Sequence, residues 1–250
     1  MCTRHGVESR SVASLDRFEP ARAKADRLYT SLRDDILSGR IRPGDALSEN
    51  LLAEQHGISR TPVRQVFLRL VQEQLLRVVP QVGSFVAPIN LAAVTDGQFI
   101  REALECLAVR RAALAATRPQ IDTLRRHITA QRRRVEEGDQ RGFFELDEAM
   151  HCVILEIAGH ATVWRVIASV KAQLDRVRHL SLEDSAWLAM IFRQHEDIVD
   201  RIAAHDSDGA GDAMQRHLRT AFGAIERIAA AHADFFEDPG KTPAAQRDIA

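Results

Sequence analysis

The chain has 250 residues, enough for two ordinary domains, and its 45% hydrophobic and 28% charged residues exclude collagen-like and compositionally disordered classes. No apolar run reaches the roughly 18 residues of a membrane span, and the three scattered cysteines (Cys2, Cys106 and Cys152) exclude a disulfide scaffold, so we expect a cytoplasmic protein without membrane contact. Residues 22–88 hold ten Lys and Arg against seven Asp and Glu, whereas residues 89–250 hold 21 against 25, which favours a nucleic-acid partner for the N-terminal part only.

The first elements along the chain are predicted to be an arm and three helices. Residues 1–20 lack apolar periodicity, so we expect a flexible arm. Leucine and isoleucine residues at helical spacing predict a first helix over 21–38. Ser48 and Gly57 are typical of the start and end of a second helix, and Ser59 can cap a third helix only two residues later. This spacing is that of a helix-turn-helix.

Two short β-prone runs follow the third helix. They occupy residues 76–79 and 84–87 and are joined by Pro80-Gln81-Val82-Gly83, which predicts a β-hairpin or wing. Residues 21–88 are therefore predicted to form a winged helix-turn-helix domain made of three helices and a hairpin.

The remainder of the chain shows long helical patterns and no strand-like alternation. Proline, glycine and serine residues separate the predicted helices, which lie near 91–117, 119–137, 141–158, 161–179, 182–205 and 208–235. Residues 89–236 are therefore predicted to form an all-α bundle, and the fold class is mainly α. Residues 237–250 are polar and contain proline and glycine, so we expect a disordered tail.

The predicted third helix, within GISRTPVRQVFLRL (residues 57–70), carries the features of a DNA-recognition helix. Arg60 and Arg64 stand four residues apart on the face opposite the apolar one, so both point outward together. An arginine can meet a guanine edge through two donors, and the hydroxyls of Ser59 and Thr61 can hold phosphates. The alternative for two arginines alone is an ordinary solvated helix face, but the helix-turn-helix spacing and the wing favour recognition of DNA.

The segments IRPGDAL, ISRTPVRQ and VGSFV, in this order and spacing, resemble the winged helix-turn-helix of the GntR family of bacterial transcription regulators. The resemblance covers about 60 residues. It implies DNA contacts by five residues: Ser59, Arg60, Thr61, Arg64 and the wing-tip glycine Gly83. Many relatives bring a further DNA-contacting arginine from the second helix, where this chain has Asn50, so that contact is expected to differ here.

Four metal-ligating side chains lie on apolar helix stripes in the second part of the chain. Asp147 and His151 are at i and i+4 on one predicted helix, and His195 and His217 lie within the stripes of two later ones. Three imidazoles and one carboxylate suit a divalent transition metal with open coordination positions, and zinc, nickel and manganese all fit. The alternative for each histidine taken alone is a hydrogen-bonded core residue.

The same four positions resemble the metal-ligand set of the FCD effector domain of FadR-like GntR regulators, over residues 95–232. The resemblance implies a homodimer that binds a small carboxylate beside the metal. It also implies that Arg101 contacts this effector. The alternatives are an intrahelical pair of Arg101 with Glu105, and Arg178 in the same role. His160 replaces the asparagine of many relatives, which leaves open whether it lines the pocket.

These features favour a metabolite-responsive regulator, a repressor, that binds double-stranded DNA at a palindromic operator. Two alternatives remain: a regulator whose metal is structural or is itself the signal, and a metal-dependent enzyme. Because the sequence has no HExxH pair and no evident general base beside the ligands, we expect no enzymatic activity.

Overall fold

A computed structural model describes residues 15–181, 185–223 and 225–237. Its N-terminal part contains three helices and three short strands: α1 (Leu15–Leu37), β1 (Ala46–Leu47), α2 (Glu49–His56), α3 (Arg60–Gln72), β2 (Leu76–Val79) and β3 (Gly83–Val86). The strands form one antiparallel sheet in the order β1-β3-β2. This is a winged helix-turn-helix, as predicted.

Local capping explains the tight connection between α2 and α3. The Ser48 side chain accepts a hydrogen bond from the backbone N–H of Leu51 at 3.4 Å, and Gly57 takes a left-handed conformation (φ +58°) that ends α2. Helix α3 then begins at Arg60 and buries its apolar face against α1. The recognition face of α3 is thereby fixed relative to the core.

Two boundaries of this domain differ from the prediction. Residues 15–20 belong to α1 rather than to an arm, while residues 1–14 lie outside the described residues. Ala46 and Leu47 form a third strand opposite Phe85 and Ser84 of β3, where no strand was predicted. A two-residue strand is too short to show alternation, so its partner strand rather than its own sequence defines it.

The C-terminal part is helical: α4 (Leu91–Ala115), α5 (Arg118–Glu137), α6 (Gln140–Ile157), α7 (Val163–Val170), α8 (Ala172–Ser181), α9 (Ser185–Ala203), α10 (Ser207–Gly223), α11 (Ile225–Ala231) and a 3-10 turn (Ala233–Phe235). The α4 helix packs against α6, α8, α9 and α10. Within the described residues, none of the helices has the length and apolar character needed to cross a membrane.

One predicted helix is divided in the structure. The helix predicted over 161–179 breaks at Lys171, where no glycine or proline signals an end, and Lys171 is buried against Glu148 and Asp175. The helix predicted over 208–235 ends earlier than expected, at Ala231, and a 3-10 turn (Ala233–Phe235) follows it.

The C-terminal segment returns to the connection between the two parts. Ile89 and Phe236 form an isolated parallel bridge, and the backbone N–H of Glu237 donates to the Ile89 carbonyl at 3.0 Å. Glu237, the first residue of the expected disordered tail over 237–250, is therefore hydrogen-bonded to the rest of the chain. Residues 238–250 lie outside the described residues.

Candidate metal centre and nucleic-acid interface

Four predicted ligands converge from three helices. Asp147 and His151 come from α6, His195 from α9 and His217 from α10, and each is at most 3% exposed. One ligand atom from each residue lies within 4.8 Å of those from the other three. The apolar stripes that carry these residues face one another, so helix packing alone brings the four side chains together.

Neighbouring side chains orient two of the imidazoles. His195 Nδ1 lies 2.7 Å from Gln131 Oε1, and the Gln131 Nε2 donates to the Leu146 carbonyl at 3.2 Å, which fixes the amide. A carbonyl-type oxygen at Nδ1 places the proton there and leaves the His195 Nε2 lone pair facing the cluster. Similarly, Glu105 contacts His151 Nδ1.

Burial keeps the cluster in the protonation states that a metal requires. Burial lowers the pKa of His195, and it lowers the pKa of His217 well below its usual range, so both rings are neutral near pH 7. Burial alone would raise the pKa of Asp147, but the Arg178 guanidinium and the nearby histidines hold it well below its usual range. Two neutral imidazoles and a carboxylate are thus available as ligands.

The unsatisfied atoms of the cluster fit a divalent ion. Among the described residues, His151 Nε2 and His217 Nδ1 have no hydrogen-bond partner, and His195 Nε2 and Asp147 Oδ1 lie 3.1 Å apart without good hydrogen-bond geometry. Each ligand residue therefore leaves a buried atom unsatisfied, which is costly unless another group binds it. The donor set of three nitrogens and one oxygen is one that zinc, nickel and manganese accept.

Arg178, on α8, lies beside this cluster and links α8 to it through ion pairs. It contacts Asp147, and its Nη1 lies 2.9 Å from Glu148 Oε1 and 3.2 Å from Asp175 Oδ1. Every residue of α8 is buried except His179, which is half-buried. Because α8 has no solvent-facing side, its polar residues are not confined to one face, and its sequence offers no periodic signal that Arg178 points towards the cluster.

A cavity of about 20 Å³ adjoins the cluster, lined by Phe143, Phe144, Asp147, Arg178, Ser181, Trp187, Ile191 and His217. This volume holds about one water molecule. Arg178 lines the cavity and Arg101 does not. Instead, Arg101 Nε pairs with Glu105 Oε1 at 2.6 Å, while its Nη2 has no partner among the described residues.

His160 lies apart from the cluster. It is exposed in the turn after α6, and its Nε2 lies 2.6 Å from Arg111 Nη1. The structure therefore places it away from the cavity.

The predicted DNA-contacting residues lie on an exposed surface. Glu49, Arg60, Thr61, Arg64 and Gln65 line an open groove of about 240 Å³ at the start of α3. The Arg64 side chain is 73% exposed, and its nearest acidic partner among the described residues, Glu49, is 4.0 Å away. Both arginines can therefore meet an external partner.

The other expected contacts flank this groove. Ser59 occupies the N-cap position of α3 without making a capping hydrogen bond, so its hydroxyl is free for another acceptor or donor. Gly83 begins β3 at the wing with φ +151°, and Asn50 is exposed on α2.

Hydrogen bonds and ion pairs join α8 to the winged-helix part. Gln173 Nε2 donates to the Gln74 carbonyl at 2.6 Å, and Arg176 Nη1 donates to the Ala87 carbonyl at 2.7 Å. Asp175 Oδ2 lies 3.9 Å from Arg33 Nη2 on α1. The residues around the metal cluster and the helix that supports α3 are thus connected through α8.

Comparisons with known proteins match both parts of the chain. The family described as "Bacterial regulatory proteins, gntR family" matches residues 24–86, and the family described as "FCD domain" matches residues 98–220. These ranges contain the exposed arginine pair and the four candidate metal ligands, respectively.

Curated relatives align over most of their length. The chain is 38% identical over 222 residues to an "Uncharacterized HTH-type transcriptional regulator in unstable DNA locus" of Streptomyces ambofaciens, covering 89% of this chain and 93% of the relative. It is 35% identical to the "HTH-type transcriptional repressor RspR" of Escherichia coli, covering 89% and 97%.

Among solved structures, E. coli McbR/YncC superposes with a TM-score of 0.70 at 21% identity, covering 84% of this chain and 98% of that chain. At this identity the match supports the fold alone.

Proposed function

The chain belongs to the gntR family of bacterial regulatory proteins and carries an FCD domain, and from that premise we propose a metabolite-responsive repressor whose FCD domain binds a divalent metal and a small organic acid. GntR regulators bind DNA and typically act as dimers. We propose that Ser59, Arg60, Thr61, Arg64 and Gly83 contact the operator. The repressor role is proposed because the E. coli relative is named a repressor.

The observation that carries the metal proposal is the set of buried, unsatisfied ligand atoms on Asp147, His151, His195 and His217. A divalent ion held there would supply positive charge and open coordination positions for an anion. The protein's own contribution is to exclude water, to keep the imidazoles of His195 and His217 neutral, and to orient the rings of His195 and His151 through Gln131 and Glu105.

We propose Arg178 as the second anchor of the organic acid, since it lines the adjoining cavity. Arg101 remains a candidate through its unsatisfied Nη2, although it does not line the cavity. Both arginines already have carboxylate partners, Glu105 for Arg101 and Asp147, Glu148 and Asp175 for Arg178. An organic acid exceeds a cavity of about 20 Å³, so its binding requires the cavity walls to move. Since Arg178 also contacts Asp175 beside Arg33, such movement reaches the winged helix, where it can change the affinity for DNA.

The small cavity also favours a second candidate function, a regulator that senses the metal itself. The two are distinguished by titrating zinc, nickel and manganese into chelator-treated protein, each with and without a panel of mono-, di- and tricarboxylates. Affinity for a DNA site selected from a random library is the readout. A carboxylate that changes DNA affinity only with metal present supports the first function, whereas a response to metal alone supports the second.

The metal site itself is tested by variants. We expect up to one divalent ion per chain and a stabilisation of about 2.7 kcal/mol when free metal is 100 times its Kd. His195→Ala and His217→Ala should lose both effects, whereas His127→Ala, on α5 outside the cluster, should keep them. If wild-type protein takes up none of the three metals and its melting is indifferent to them, the cluster is only a polar core.

A further inference from the structure

A carboxylate lies in the groove that carries the predicted DNA contacts. Glu49, the first residue of α2, lines this groove together with Arg60, Thr61, Arg64 and Gln65. An acidic side chain repels the phosphates of DNA, so its presence lowers the affinity for DNA of any sequence. A groove that only attracted the phosphate backbone would be expected to hold cations alone. The position of Glu49 therefore needs an explanation other than general attraction to DNA.

The start of α2 fixes the backbone of Glu49. Ser48 is the N-cap, and its side chain accepts a hydrogen bond from the backbone N–H of Leu51 at 3.4 Å. Glu49 then occupies the first turn, where the positive end of the helix dipole attracts a carboxylate. Its side chain is 32% exposed, less than half the 73% of Arg64. The groove thus holds an anchored negative charge beside a much more exposed arginine.

The Glu49 carboxylate approaches only one of the two arginines. Its Oε1 lies 4.0 Å from Nε of Arg64, whereas Arg60 has no ion pair within the described residues. A contact at Nε leaves the two Nη groups of Arg64 without a partner in the described part of the chain. These two groups form the end of the guanidinium fork, which can donate to O6 and N7 of a guanine. Glu49 therefore faces the edge of the guanidinium that such a contact would not use.

Restricting Arg64 improves its discrimination between bases. A long side chain that is 73% exposed samples many rotamers, and ordering it on DNA costs conformational entropy. A carboxylate beside Nε reduces that freedom before DNA binds. The same carboxylate repels phosphates from the groove, which leaves Arg64 to a base edge rather than to the DNA backbone. Both effects raise specificity rather than the affinity for DNA in general.

We propose that Glu49 is a positioning residue for operator recognition, which orients the Arg64 guanidinium towards a guanine and keeps phosphates out of the groove. The proposal rests on the DNA-binding function proposed above and adds a residue that sets its specificity. A purely structural role, in which Glu49 only stabilises the start of α2, would act on the stability of the fold and equally on every DNA sequence. The two roles therefore predict different results.

The test compares two duplexes of equal length, one with a site that the wild-type protein selects from a random library and one of unrelated sequence. Glu49→Gln should bind the unrelated duplex about two- to fivefold more tightly, because a negative charge facing the phosphates is removed. It should bind the selected duplex at least about fivefold more weakly, because Arg64 is no longer held. Glu54→Gln, at an exposed position of the same helix outside the groove, should keep the ratio of the two affinities within about twofold of wild type.

A double-variant cycle shows whether Glu49 acts through Arg64. In the Arg64→Ala background, Glu49→Gln should tighten binding to both duplexes equally, because no guanidinium is left to orient. Each base pair of the selected site is also substituted in turn. Glu49→Gln and Arg64→Ala should then lose discrimination at the same base pair, whereas Arg60→Ala should lose it at another.

Three results would overturn the proposal. One is a weakening of the selected duplex by Glu49→Gln that persists in the Arg64→Ala background. Another is an equal change on both duplexes, which, with a lower free energy of unfolding in urea, indicates the structural role. The third is the same ratio of affinities for Glu49→Gln and Glu54→Gln. Wild-type protein that does not distinguish the two duplexes would instead overturn the DNA-binding function on which this proposal rests.

Discussion

The metal cluster and the recognition helix differ in where their polar groups find partners. At the cluster, Asp147 and the three histidines are at most 3% exposed, and their surroundings are supplied by the same chain. At α3, Arg60 and Arg64 are exposed, and the one acidic partner of either among the described residues is Glu49, 4.0 Å from Arg64. An unsatisfied polar atom is costly in the buried cluster. At the exposed surface of α3 it costs little, because water can hydrogen-bond to it.

Because of this difference, the two regions give different information about what they bind. A buried unsatisfied atom is costly unless another group binds it, so the convergence of such atoms in the cluster supports a metal as that group. An exposed arginine is satisfied by water, so α3 is compatible with DNA but does not require it. The DNA-binding function therefore rests on the family to which the chain belongs, whereas the metal proposal also rests on burial and geometry.

The largest effect is expected where buried charges depend on each other. Asp175 is fully buried beside Lys171 at 2.5 Å, Arg178 at 3.2 Å and Arg33 at 3.9 Å. Asp175→Ala would leave these cations without a central carboxylate. It should lower the free energy of unfolding by about 3 to 5 kcal/mol, measured by urea denaturation.

The matched control is Asp200→Ala, because Asp200 is an exposed aspartate on α9. Its substitution should change the free energy of unfolding by less than about 0.5 kcal/mol. If both variants lost the same small amount, the buried network would contribute no more than a surface charge and the contrast between the two regions would fail.

A smaller effect, on binding rather than on stability, is expected at α3. Arg60→Ala and Arg64→Ala should each weaken binding to a selected DNA site by about 1 to 3 kcal/mol, roughly five- to 150-fold. Their free energies of unfolding should stay within about 0.5 kcal/mol of wild type, since both side chains are exposed. Titration of labelled DNA followed by fluorescence anisotropy measures the change.

Arg125→Ala provides the control for this experiment. Arg125 is an exposed arginine on α5, in the FCD domain, and its removal changes the net charge equally. Equal weakening by all three variants would mean that total charge, rather than the face of α3, determines the affinity.

The sequence predicts the main features of both regions, but from different signals. The helix-turn-helix follows from local signals, the Ser48 cap and the Gly57 terminus, and both are confirmed by the structure. The convergence of His195 and His217 on Asp147 follows from their apolar stripes, because residues on such stripes face a common core.

Other features depend on tertiary partners that no local pattern reveals. The β1 strand exists because β3 lies beside it, and the break at Lys171 accompanies ion pairs with Glu148 and Asp175. In the sequence, Arg178 is only an alternative to Arg101 for the effector contact. A helix that is buried on all sides gives no periodic signal of which residues face the site. Local sequence propensity predicts the secondary-structure elements, whereas tertiary packing determines which of their side chains come into contact.

The smallest effect is expected in the pH dependence of the free energy of unfolding, and it compares the buried interior beside the cluster with the exposed surface. His179 on α8 stacks against Phe144, with ring centroids 4.0 Å apart, and burial lowers its pKa to about 4. The unfolded chain has an ordinary histidine pKa near 6.5, so between these values unfolding takes up a proton. The stabilisation from neutral His179 is therefore complete above about pH 6.5 and is lost as the pH falls towards 4.

One proton corresponds to at most about 1.4 kcal/mol per pH unit in the free energy of unfolding. Urea denaturation of chelator-treated protein at pH 7, 6 and 5 should show a shallower decline for His179→Phe than for wild type, because the variant cannot bind this proton. The same comparison for His56→Phe should give wild-type slopes, since His56 is exposed at the end of α2 beside the DNA-facing surface. If the free energy of unfolding had the same pH dependence in wild type and His179→Phe, water would reach this ring. The protein interior around Arg178 would then resemble the solvated surface of α3 more than the buried cluster beside Arg178.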